Sequence, residues 1–154
     1  MHCFEFNFHK IECVCSTYSL RKSKLLFYLQ NRIKGNILLY VKKASDGAKE
    51  EITAAAKTTK QVLISSEEAP NFALRKFTIE AGGSMPMHTN TVEHEQIVLA
   101  GRAEVVIDGK TFEAKKDDVV FIPAGVPHCY KTIGSEPFEF ICVVPNKEDI
   151  MKII

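Results

Sequence analysis

Turn signals recur along most of this chain at short, even intervals, and that rhythm restricts the fold more than any other feature of the sequence. Glycine and proline gather at Ala81-Gly82-Gly83-Ser84, at Asp108-Gly109, between Pro123 and Pro127, and between Gly134 and Pro137, with a polar turn over residues 115–118. The segments left between them are apolar or alternating runs at 61–64, 71–80, 94–100, 102–107, 110–114, 119–122, 129–133 and 138–144. Runs of this kind, broken roughly every 8–12 residues, are what a closed or sandwiched antiparallel sheet requires, so the pattern predicts an all-β jelly-roll barrel. Asp108-Gly109 is the strongest hairpin signal, because both residues tolerate the positive φ of a two-residue turn. With 154 residues, 45% of them hydrophobic and 25% charged, one globular domain with a real core is expected.

Within that frame the stretch MHTNTVEHEQIVLAG, residues 87–101, places two histidines and an asparagine just ahead of an apolar run. In extended backbone, residues two apart share a face, so His88 and Asn90 point one way and Thr89 the other. Residues 91–93, with polar Thr91 and Glu93 at the ends, are short enough for a turn. The strand that resumes at His94 then puts His94, Gln96 and Val98 on one face, with Glu95, Ile97 and Leu99 opposite. A second cluster, FIPAGVPH at 121–128, ends on His128 after a corner stiffened by Pro123 and Pro127. Three imidazoles converging from separate strands suit Zn, Fe, Ni, Cu or Mn better than Ca or Mg.

These two stretches resemble the paired motifs of the cupin superfamily. The first motif is Gly, five residues, His-x-His, three or four residues, Glu, six residues, Gly; in this chain Gly82, His88 and Gly101 are in register, Asn90 stands at the second histidine and His94 at the glutamate. The second is Gly, five residues, Pro-x-Gly, two residues, His, three residues, Asn; Pro123, Gly125 and His128 match it, while Asp117 replaces the glycine and Thr132 the asparagine. The resemblance covers residues 60 to 145 or so and implies the double-stranded β-helix of that superfamily, with 40–154 as a single domain. It also implies a divalent transition metal held by His88, His94 and His128, with Asn90 as fourth ligand or as a donor behind the ligands, and with Gln96 as the alternative fourth. The two exchanges matter chemically: an asparagine amide is a weak neutral donor, and a histidine in place of glutamate removes a negative charge, so the ligand set carries no net charge.

Around this core of candidates, Arg75 shares a face with Ala73, Phe77 and Ile79 and is a candidate to anchor a substrate carboxylate through a bidentate pair; the plainer reading is a side chain extended along the strand rim. Tyr130 shares the face of His128 and offers a hydroxyl to a ligand or a polar tip to the core. Glu93 and Glu95 flank His94 and read as solvated rim charges. Cys129 points away from His128, Phe77, Val98, Phe121 and Ile141 read as core, and residues 119–122 read as a buried strand. Ser65 to Glu68 reads as a capped helical turn closed by Pro70, and residues 146–154 as a short terminal helix capped by Asn146.

Residues 1–39 differ in composition, being rich in Phe, Cys, Leu and basic residues with neither Ala nor Pro. The native chain is expected to start near Leu39 or Tyr40, with the upstream stretch an over-extended reading frame. The alternative is a basic, apolar appendage in which residues 20–33 form a helix with Leu25, Leu26 and Leu29 on one face, packing on the barrel or a membrane surface. His2, His9, Cys13 and Cys15 lack the spacing of a metal site, and the polar residues of the first nineteen exclude a secretory leader. A net charge of +1 gives no footprint for nucleic acid, and no apolar run approaches the ~20 residues of a membrane span. Five cysteines without CxxC spacing fit the reducing cytoplasm. The functional expectation is a metal-binding cupin, a small oxygenase, decarboxylase or isomerase acting on a small carboxylate or enol. The alternative is a ligand-binding module without turnover, with the metal structural or absent. A homodimer paired through apolar sheet faces is expected in either case.

Overall fold

In the computed structural model, which describes residues 40–154, ten strands form one antiparallel system: β1 (Lys49–Glu51), β2 (Ala56–Ile64), β3 (Phe72–Asn90), β4 (His94–Ala100), β5 (Arg102–Ile107), β6 (Lys110–Lys115), β7 (Val119–Ile122), β8 (His128–Ile133), β9 (Phe138–Pro145) and β10 (Met151–Ile153). The sheet runs in the order β6-β5-β8-β3-β9-β4-β7, with β2 and β10 also paired to β3 and β1 paired to β2. The expected all-β barrel of the jelly-roll type is present. The residues 20–33 helix, and His2, His9, Cys13 and Cys15, lie outside the described residues. No helix among the described residues is long and apolar enough to cross a membrane.

The long strand β3 holds the architecture together. Its first half, Phe72 to Ile79, pairs with β9 and β2, while its second half, Ser84 to His88, pairs with β8. The turn expected at 81–84 is therefore absent, and the chain bends without leaving the strand. Gly82 takes φ +70°, and a Cβ on Gly83 would lie 2.8 Å from the carbonyl oxygens of Ala56 and Glu80. Two adjacent glycines let the backbone change partners where side chains would collide.

Alternation sets the interior. Along β9 every second residue, Phe138, Phe140, Cys142 and Val144, is buried, and along β4 so are His94, Gln96 and Val98. Phe140 stacks on Phe77 at 5.1 Å and on Tyr130 at 5.4 Å, so one aromatic column ties β3, β9 and β8 together. The hairpin at Asp108-Gly109 forms as expected, with Ile107 opposite Lys110 and both turn residues at positive φ.

Several expectations fail for identifiable reasons. β7 exists, but it is not a buried strand: Val119 and Phe121 are exposed and Ile122 alone is buried. It ends the sheet path and, among the described strands, pairs with β4 alone, and the side chains of its outer face stand exposed. Phe121 is thus not core, and Ile141 is half-buried. The first strand is β1 rather than one at 61–64, and β2 begins earlier, at Ala56. Ser65 and Glu68 do form a capping box, with the Ser65 amide donating to Glu68 Oε2 at 2.7 Å and the Glu68 amide to Ser65 Oγ at 3.3 Å, but it closes a turn and not a helix. The terminal helix is absent as well. Asn146 spends its side-chain amide on the carbonyls of Ser66 and Ala69 instead of capping, and residues 151–153 pair as β10 with Asn90, Thr89 and His88.

Candidate metal and ligand site

Inward-facing positions of three strands, β8 and β3 side by side and β4 beyond β9, bring the predicted residues together. β3 contributes Arg75, His88 and Asn90, β4 contributes His94 and Gln96, and β8 contributes His128 and Tyr130. All seven line one cavity of ≈ 180 Å³. That is somewhat larger than the ~150 Å³ hollow known to hold a benzene-sized guest. Phe77, Phe140, Met85 and Ile52 give it an apolar wall, and Lys60 and Asp149 join the seven on its polar side.

His88 and His128 are almost fully buried, at 2% and 1% exposure, and sit directly opposite one another in the β3–β8 ladder. Their ring centroids are 4.1 Å apart, and those of His94 and His128 are 5.8 Å apart. Each of the first two rings is tied at Nδ1 to the carbonyl two residues back, His88 to Pro86 and His128 to Val126, both at 2.8 Å. A carbonyl can only accept, so Nδ1 carries the proton and the neutral ring keeps its lone pair on Nε2. Burial lowers both pKa values, taking His128 from 6.5 to about 4. The backbone carbonyls act in the opposite direction, and the neighbouring imidazoles add to the lowering. Both rings are therefore neutral near pH 7, the form that ligates metals.

Three polar atoms here are buried without a hydrogen-bond partner among the described residues: His94 Nε2, His128 Nε2 and Asn90 Oδ1. Buried polar atoms are seldom left alone. Two nitrogens and one amide oxygen, beside a His88 ring whose tautomer is fixed the same way, make a donor set whose chemistry suits a late divalent ion. As they stand, however, no three His, Cys, Asp or Glu side chains among the described residues are spaced to grip an ion.

A residue that sequence reasoning missed accounts for part of this arrangement. Asp149, between β9 and β10, reaches into the cavity. Its Oδ2 accepts from Arg75 Nη1 at 2.6 Å, its Oδ1 accepts from Asn90 Nδ2 at 2.8 Å, and His94 Nε2 stands 3.7 Å from Oδ2, too far for a hydrogen bond but within ion-pairing reach. Burial alone would raise the Asp149 carboxyl, but His94, Arg75 and Asn90 outweigh it and hold the group well below the usual carboxylate range. Arg75, the candidate anchor for a substrate carboxylate, thus grips a carboxylate of its own chain. No local signal marks Asp149, because nothing in residues 146–154 themselves says which strand they will meet.

Gln96 and Tyr130 are committed to each other, with Gln96 Nε2 donating to the Tyr130 hydroxyl at 2.8 Å and that hydroxyl 3.0 Å from Gln96 Oε1. Burial pushes the Tyr130 phenol far above its ordinary value and the Cys142 thiol up to about 12, so neither ionises near neutrality. Glu95 is exposed and Glu93 half-buried, and neither lines the cavity.

The sequence and the coordinates both match known proteins. The family model described as a cupin domain covers residues 75–144. A mannose-1-phosphate guanylyltransferase from Escherichia coli is 33% identical over 92 residues, 56% of this chain and 19% of that protein, so the chain spans about a fifth of that relative's length. Among solved structures, the polyketide cyclase RemF from Streptomyces resistomycificus superposes with a TM-score of 0.70 at 29% identity, over 76% of this chain and 86% of that one. A cupin 2 domain-containing protein from Halorhodospira halophila is 30% identical with a TM-score of 0.57, over 61% of this chain and 67% of that one. Motif register, barrel topology and these likenesses agree, and the chain belongs to the cupin family.

Proposed function

We propose that this cupin holds a divalent transition metal, Mn, Fe, Ni, Zn or Cu, on His88, His94 and His128 with Asn90 as the further donor. Its substrate is then a small carboxylate, enol or similar oxygen-bearing molecule, handled by oxygenase, decarboxylase or isomerase chemistry. The observation that carries the reading is the trio of buried, unpartnered atoms, His94 Nε2, His128 Nε2 and Asn90 Oδ1, around one small cavity. A bound ion would polarise a substrate oxygen as a Lewis acid. The chain's own residues orient the rings through the Pro86 and Val126 carbonyls, and Phe77 and Phe140 supply part of the apolar wall beside them. For His94 to join the other two rings, its contact with Asp149 has to open.

Elemental analysis of protein purified without chelator tests the reading. Near-stoichiometric metal in the full chain, lost in both His88→Ala and His128→Ala, is the expected outcome; full retention by both variants overturns it. A second reading, a small-ligand module without turnover, is favoured by one observation: among the described residues the carboxylate and the phenol that line the cavity are both engaged, Asp149 by Arg75 and Asn90 and Tyr130 by Gln96. Turnover assays on small dicarboxylates and diketones separate the two. The homodimer belongs to the proposal as well, supported by the exposed outer face of Ile97, Leu99, Val119 and Phe121, and sedimentation at micromolar concentration tests it.

A further inference from the structure

We propose that Arg75 and Asn90 form a receiving site for a free carboxylate, and that Asp149 is a tethered stand-in which such a carboxylate displaces. The inference deepens the reading of the cavity as a small-molecule site and does not depend on the metal. Its basis is a carboxylate already seated there. Asp149 is only 7% exposed at its side chain and takes one charge-assisted bond from Arg75 Nη1 and one hydrogen bond from Asn90 Nδ2, with His94 Nε2 on its remaining side. An arginine and an amide, each donating to a different oxygen, recognise any carboxylate of this size. Both donors belong to the strand at the centre of the barrel, whereas the acceptor belongs to a peripheral segment.

The attachment of that segment is mostly polar. Asn146 anchors the start of the segment, its amides donating to the Asn71, Ser66 and Ala69 carbonyls; beyond it residues 147–154 bind through Asp149 itself, through Thr91, whose hydroxyl donates to the Glu148 carbonyl at 2.7 Å and accepts from the Ile150 amide at 2.9 Å, through three residues of β10, and through the Ile154 amide on the Met87 carbonyl. Its apolar side chains stay partly exposed, Met151 at 37% and Ile150, Ile153 and Ile154 at 46–60%, so none of them is buried as the core residues are. An element fastened by a few hydrogen bonds at the edge of a sheet belongs to the low-stability end of a structure. The two lining residues it contributes, Asp149 and Met151, leave the cavity together when it lifts. A free carboxylate then competes with a tethered one, and its apparent affinity is reduced by the fraction of time the arm is docked.

The probe is sodium acetate, with acetamide as the uncharged isostere, titrated into the full chain after chelator treatment and, separately, after metal loading. Acetate, and not acetamide, should speed hydrogen exchange of the Ile150 and Ile154 amides, which the docked arm protects through Thr91 Oγ1 and the Met87 carbonyl. Asp149→Ala should bind acetate about tenfold more tightly or better. Thr91→Val, which leaves the receiving site intact and loosens only the arm, should shift affinity in the same direction and carries the test if Asp149→Ala does not fold. Arg75→Met should lose acetate binding. Unchanged acetate affinity in the variants, equal binding of acetamide, or arm exchange indifferent to acetate overturns the proposal. Because the chelator-treated sample is scored by itself, an acetate response in a chain that takes up no metal on loading refutes only the metal reading, and metal uptake in a chain with no acetate response refutes only this one.

Discussion

His128 makes stability depend on pH in a way that can be isolated. Its folded-state pKa lies at about 4, mainly because burial disfavours the imidazolium, whereas in the unfolded chain it titrates near the ordinary 6.5. The unfolded state therefore binds the proton first. A depressed folded pKa contributes stability that is fully present above 6.5 and is lost as pH falls toward 4, at a rate near 1.4 kcal/mol per pH unit. Across that window the loss attributable to His128 is on the order of 3 kcal/mol, and the conversion needs little discount for screening because the ring is 1% exposed. His128→Asn isolates the effect, since the asparagine amide nitrogen lies near the position of Nδ1 and can keep the bond to the Val126 carbonyl without titrating. Urea unfolding at pH 7, 6, 5 and 4, with chelator throughout so that no ion competes for the rings, should show the original chain losing about 3 kcal/mol more than the variant over that range. Parallel profiles would refute the claim that a buried neutral imidazole at this position governs the acid limb.

Two further predictions concern the frame around the site. A Cβ on Gly101, which sits at φ +70°, would lie 2.2 Å from the Pro137 carbonyl oxygen, so Gly101→Ala should cost roughly 3 kcal/mol in chemical denaturation, and a loss under 1 kcal/mol would contradict the close approach. Thr132, standing where the family motif has asparagine, gives its hydroxyl to the carbonyls of Glu80 and Gly83 at 2.9 and 2.7 Å, beside the bend of β3; Thr132→Val should cost about 1–3 kcal/mol, whereas Thr132→Ser should recover most of it.

How much of this was legible beforehand follows from the range of each signal. Alternation and turn chemistry are local, so β4, the Asp108-Gly109 hairpin and the inward set of His88, Asn90, His94, Gln96, His128 and Tyr130 could be read directly from period and register. The burial of β7 could not, because Val119 and Phe121 look like core residues in any window; whether a second layer covers them is decided by the strand order. Likewise Gly82-Gly83 signals a break in regular backbone without saying whether the chain turns or bends. Here β2, β8 and β9 all pair with β3 and keep it extended. Asp149 lies beyond any such reading, since its place depends on β10 finding the β3 edge at Asn90.

The departures from the family motif and the position of Asp149 fit one account of the site's charge. Asn90 at a histidine position and His94 at the glutamate position remove the carboxylate that the motif would place among the rings. Asp149 brings one back from a distant part of the chain, but in a different role, because Arg75 at 2.6 Å neutralises it. Breaking such a half-buried pair by deleting one partner usually costs 3–5 kcal/mol, since the remaining charge stays desolvated, while exchanging one carboxylate for another leaves the pairing intact. The cavity is thus more tolerant of replacing its anion than of losing it. A motif glutamate fixed on β4 could not be exchanged in this way, whereas a carboxylate on an arm held by Thr91 and three exposed strand residues can be. Moving the acid from the barrel wall to the arm converts a fixed charge into a replaceable one, and that conversion makes sense of Arg75 facing a cavity in which Asp149 is the one lining carboxylate among the described residues.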